Sequence, residues 1–174
     1  PAVFVSADGV CMRRDPAVGS SDLPICRLMD GVLPDSMPVY ELGKEHPDRR
    51  VLAAAKTAVE WRDQICEQLP SVPALVEVDA SNLGYRLVAD STYCEICVVL
   101  RRQSGGTAVF GYGREPGSPF LRVAAKDKAQ ILGKILARYP GLNGVDKGDL
   151  RFVNLWENWL RPRSSLDSAS ATPK

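Results

Sequence analysis

Histidine occurs once in this chain, at His46, and that scarcity narrows the chemistry at once. A catalytic imidazole needs an oriented partner, and a histidine-rich metal site needs several ligands at fixed spacing. His46 instead precedes Pro47 and the start of a helical pattern, which suits a loop or capping position. The sequence also lacks a Walker loop, a G-x-G-x-x-G turn after a strand, H-E-x-x-H and G-x-S-x-G. Gly111-Tyr-Gly113 is too short to cradle a pyrophosphate without a helix directly behind it. No helix carries paired carboxylates spaced for two-metal chemistry. The chain therefore reads as non-catalytic, with no cofactor and no metal.

Long apolar runs are missing too. None approaches the ~18 residues of a membrane-spanning helix, and Pro1 to Cys11 has neither the basic flank nor the apolar core of a signal peptide. The five cysteines are odd in number, which points to reduced thiols in an intracellular protein. Cys94 and Cys97 have zinc-pair spacing, but the other candidate ligands, Cys11, Cys26, Cys66 and His46, are dispersed. On a continuous strand, positions 94 and 97 point to opposite faces. They read as small buried hydrophobes.

What is present is ordinary globular composition, 45% hydrophobic and 25% charged over 174 residues. Prolines at 16, 24, 34 and 38 and glycines at 9, 19, 31 and 43 break up residues 1–47. Short strands are expected at Ala2 to Val5 and Val10 to Met12, turning at Asp8-Gly9, and at Pro38 to Leu42. A helix is expected from Asp48 to Leu69, capped by Asp48 and stopped by Pro70. Its core face is read as Leu52, Ala55, Val59, Cys66 and Leu69, with Trp61 and Ile65 beside it. Leu75 to Val78 is a short strand or an extended connection. Strands follow at 84–89, 94–102 and 107–113, the last two joined by a hairpin at Ser104-Gly105-Gly106. On the third strand, Gly111 and Gly113 share a face and permit close approach of a helix or ligand. A helix spans Ala125 to Tyr139, with Ala125, Ala129, Leu132 and Leu136 inward. Gly144 to Gly148 reads as a loop, and Leu150 to Leu160 as an extra C-terminal helix. Its Trp156 and Trp159 are candidate anchors for the body or for a partner protein. The organisation is an N-terminal extension (1–47), an α+β domain (48–162) and a disordered tail (163–174).

The order helix, three antiparallel strands, helix resembles the double-stranded-RNA-binding domain. Tyr85-Arg-Leu-Val88, the Cys94 to Leu100 strand, Phe110-Gly-Tyr-Gly113 and Ala125-Lys-Asp-Lys-Ala129 carry the resemblance. It implies an α-β-β-β-α core that reads duplex RNA by shape and phosphate contact. The family's second helix opens with a basic run that grips phosphates. Aligning Ala129 with the family's helix alanine puts Lys126 on the first lysine, Asp127 on the second and Gln130 on the third. Divergent members of the family bind proteins instead.

Charge is an independent signal. Between Val98 and Arg138 stand eight cations and two anions, in a chain of net charge +1. Clustering of this kind is a phosphate-binding footprint. Lys126, Gln130, Lys134 and Arg138 form a ridge at i+4 spacing, with Lys128 on a neighbouring face and Arg101 and Arg102 in the hairpin. These seven residues are the expected RNA contacts. The expectation is a duplex-RNA-binding module within a ribonucleoprotein assembly. Its alternative is a protein-interaction subunit on the same fold.

Overall fold

The computed structural model describes residues 4–13, 23–28, 40–88 and 93–162. A two-stranded ribbon pairs β1 (Phe4–Val5) with β2 (Cys11–Met12). The main sheet has six strands in the order β3 (Ile25–Arg27), β4 (Leu75–Asp79), β5 (Ile96–Arg101), β6 (Thr107–Gly113), β7 (Val145–Asp149) and β8 (Arg161–Pro162). β4, β5 and β6 form an antiparallel meander; β3 runs parallel to β4, and β7 parallel to β6.

Helix α1 (Arg49–Glu60) begins where Asp48 accepts a hydrogen bond from the Arg50 backbone N–H at 2.9 Å, satisfying one of the helix's orphan donors. It continues as a π-helical segment, Trp61–Ile65, and a three-residue α2, Cys66–Gln68. The wider π turn keeps both Trp61 and Ile65 inside. Helix α3 (Ala125–Arg138) forms the crossover between β6 and β7. It stops at Pro140-Gly141, where Gly141 takes φ 61° and its missing side chain leaves room for Gln103.

Period-two burial explains the sheet. Val78, Val98, Leu100, Ala108, Phe110 and Tyr112 are all buried on one face, under Ala53, Ala54, Trp61 and Ile65 of the first helix and Ala129, Leu132 and Ile135 of α3. Each large side chain so buried contributes ~1.5–3 kcal/mol. The opposite face keeps Glu77, Cys97, Val99 and Val109 half-buried and Lys147 exposed. A groove of about 410 Å³ runs across it, from Ile25 to Val109.

The chain is thus mixed α+β, with several departures from the sequence expectation. The expected 84–89 strand does not form over its described residues, 84–88: Leu83–Tyr85 is a 3-10 turn, and β4 at Leu75–Asp79 opens the meander. Asn82 explains this, because its side-chain carbonyl accepts the backbone N–H groups of Leu87 and Val88, drawing them away from a strand ladder. The extra C-terminal helix is absent as well. The expected loop at Gly144 to Gly148 is largely strand β7, and only the turn Trp156–Trp159 is helical, as 3-10. Small residues shift the phase of the α1 core face: Ala53, Ala54 and Thr57 are buried and Leu52 is not. Leu52 sits by Gly9 of the β1–β2 ribbon. Tyr40 to Leu42 are not in a strand, and the 163–174 tail lies outside the described residues. No helix among the described residues is long and apolar enough to cross a membrane.

Candidate functional site

The expected RNA ridge divides. Lys126, Gln130, Lys134 and Arg138 are exposed along α3. Lys128 is not: it is 1% exposed, its ammonium 3.4 Å from the centroid of the Tyr112 ring. In this conformation it cannot meet a phosphate. Other cations of the cluster are engaged. Arg102 binds Asp146 at 2.6 Å and the Val145 carbonyl at 3.1 Å, Arg114 pairs with Glu95, Arg122 with Glu60, and Arg138 with Glu157. Of the eight cations, Arg101, Lys126 and Lys134 have no ion pair with a described residue. Acids distant in sequence therefore cancel much of the charge that the 98–138 segment concentrates.

Beneath the start of α3 lies a buried polar cluster that the sequence pattern did not single out. The Glu60 carboxylate, at the onset of the π segment, accepts hydrogen bonds from the Tyr112 hydroxyl and the Arg122 guanidinium. The Lys128 ammonium lies 3.9 Å from the same carboxylate. Burial pushes the Glu60 carboxyl up, but the bonds from Arg122 and Tyr112 outweigh it and hold the acid below its usual range. Lys128 is brought down to about 7, first by burial and then by the Arg122 charge, with Glu60 opposing. The two partners are lowered together because Arg122 and Tyr112 take up the carboxylate and leave Lys128 at arm's length. Burial raises the Tyr112 hydroxyl as well. The one visible signal was spacing: Lys128 falls at a core position between Ala125 and Leu132.

Above this cluster runs the Pro/Gly-rich loop from Arg114 to Ala124. Three contacts fix it: Arg114 to Glu95 at 3.5 Å, Glu115 to Arg49 at 2.5 Å, and Arg122 to Glu60. Although pinned, it holds Phe120 66% exposed and Leu121 97% exposed, with the Arg114 guanidinium 4.7 Å from the centroid of the Phe120 ring. No family model, curated protein or solved structure matches the chain. The two tryptophans divide in the same way as the lysines: Trp156 packs against the core, while Trp159 is exposed and stacks on Phe152 at 4.7 Å. His46 acts at a cap, its Nδ1 accepting from the Asp48 backbone N–H at 3.1 Å.

On the other sheet face, Cys94 lies before β5 rather than within it, so strand alternation does not separate it from Cys97. The Cys94 thiol is directed at Asp149 Oδ2, 3.8 Å away. Both gather at Gly111, the register partner of Cys97, where a Cβ would strike the Cys94 sulfur and the Asp149 carboxyl. The close approach expected at this glycine is made by a loop cysteine. Among the described residues no group of three or more His, Cys, Asp and Glu side chains is placed to hold a metal.

Proposed function

We propose that this chain is a non-catalytic protein-binding module that inserts Phe120 and Leu121 into an apolar, acid-rimmed groove of a partner subunit. The observation that carries this reading is the loop: three ion pairs fix its backbone while its two large apolar side chains face solvent. A contact surface already ordered loses little entropy on binding, and exposed aromatic and aliphatic anchors supply the contact energy. Lys126, five residues beyond Leu121 and with no ion pair to a described residue, favours an acidic rim. Leu121→Glu should weaken association by ~2 kcal/mol or more, with an unchanged melting temperature because the side chain is already in water. A photo-crosslinker at position 121, followed by titration of the protein it captures, checks this. Equal affinity of parent and L121E for that protein would sink the reading.

A second reading rests on the exposed row Lys126, Gln130, Lys134 and Arg138: binding of duplex RNA through phosphates, without base reading. Lys126→Ala with Lys134→Ala should then flatten the log–log salt dependence of duplex binding by about two, if each lysine neutralises one phosphate. Stability should hardly change. No binding by the parent, or an unaltered slope in the double variant, removes RNA as a partner.

A further inference from the structure

The thiol pair at Gly111 is not used by either reading. We propose that Cys94 and Cys97 are a site of reversible disulfide formation, closed by a low-molecular-weight disulfide of the glutathione class. Four observations place the reaction here. Cys97 stands opposite Gly111 across the β5–β6 ladder. Gly111 supplies the room in which Cys94 folds back toward β5. Both cysteines are half-buried, so each keeps some access to solvent. The Cys94 thiol is directed toward this same corner, at Asp149 Oδ2, 3.8 Å away.

Environment separates this pair from the other cysteines. Cys97 is lowered chiefly by its neighbour Cys94, against burial and the carboxylates of Asp79 and Asp149, with Arg151 helping. Cys94 moves up for the complementary reason, helped by burial and Asp149. Cys26 is exposed on β3, two strands from Cys97. Burial also raises Cys66. The thiolate is the attacking species, so Cys97 is the nucleophile and Cys94 the resolving thiol.

The steps balance. The Cys97 thiolate attacks one sulfur of the small disulfide, forming a mixed disulfide and expelling one small thiolate. Cys94 then attacks the Cys97 sulfur and expels the second small thiolate, which takes up the Cys94 proton. Two electrons move from the protein to the small disulfide, and the protons lost by the two cysteines end on the two small thiols. The product ties the segment before β5 to the strand and withdraws the Cys94 donor from Asp149, which keeps its bidentate partner Arg151.

The test uses the full chain with glutathione disulfide. Thiol titration should fall by two, peptide mapping should join Cys94 to Cys97, and dithiothreitol should restore both. Cys94→Ser should stop at a stable glutathione adduct on Cys97. Cys97→Ser should react on the order of tenfold more slowly, since its remaining thiol is little ionised. A Cys26→Ser chain, which leaves the pair intact, should still close. Adducts on Cys26 or Cys66 with Cys94 and Cys97 still free, in the parent and in C26S, would overturn the proposal.

Discussion

Glu60→Gln is expected to lower the free energy of unfolding by ~3–5 kcal/mol, the range for removing one partner from a buried ion pair. The geometry sets the size of the loss. Glu60 is buried, as are Tyr112 and Lys128, and the Arg122 guanidinium is half-buried against it. Both hydrogen bonds end on Oε1, so a glutamine oxygen can still accept them, but it carries no charge. Arg122 and, below about pH 7, a charged Lys128 would then face each other with no counter-charge, and the Arg114 to Ala124 loop would lose the ion pair at one of its three anchors. Denaturant unfolding of parent and variant gives the difference directly, and a loss under ~1 kcal/mol would mean that the cluster is hydrated rather than packed. Acid should act in the same direction. The Glu60 pKa is depressed in the folded state, so its stabilisation is complete above the unfolded carboxyl value. It is lost as pH falls through the lower folded value. In the Glu60→Gln chain that part of the acid transition should be missing.

Which parts of the molecule were legible in the sequence follows from where each signal resides. Helix α3 and the β5–β6 hairpin were legible because their signals are local: 3.6-residue periodicity from Ala125 onward, and two adjacent glycines between two apolar runs. β7 was not. Val145-Asp-Lys-Gly-Asp149 has little strand propensity; it is extended because β6 offers it an unpaired edge and because Val145, at its start, fills the core. The Tyr85 to Val88 run has strand-like residues but yields to the side chain of Asn82, a competing local hydrogen-bonding partner. The basic segment misleads for a comparable reason. Its charge excess is real in one dimension, but Glu60, Glu95, Asp146 and Glu157, brought in from elsewhere, pair with four of its arginines. The Cys94 to Cys97 contact depended on where β5 begins, and a difference of two residues at a strand boundary reversed the conclusion about facing.

Lys128→Met should stabilise the protein at pH 6 by ~1–4 kcal/mol, because a well-packed apolar side chain replaces a buried ion whose counter-charge is already taken by Arg122. The aliphatic stem of Lys128 is already inside, so the substitution conserves most of the packing against Tyr112. The pH dependence separates this explanation from simple repacking. Burial, then Arg122, brings the Lys128 pKa from 10.5 to about 7 in the folded chain. Between those values the unfolded lysine holds its proton and the folded one has released it. The unfolded state thus binds more protons, and parent stability rises with pH across that window. The rise is bounded at ~1.4 kcal/mol per pH unit. Below pH 7 both states are protonated and the variant's advantage is at its largest and constant. A methionine thioether does not titrate, so the two stability curves should converge steadily from about pH 7 upward. Parallel curves from pH 6 to 10 would show that Lys128 keeps its proton throughout, with Glu60 rather than burial governing its charge.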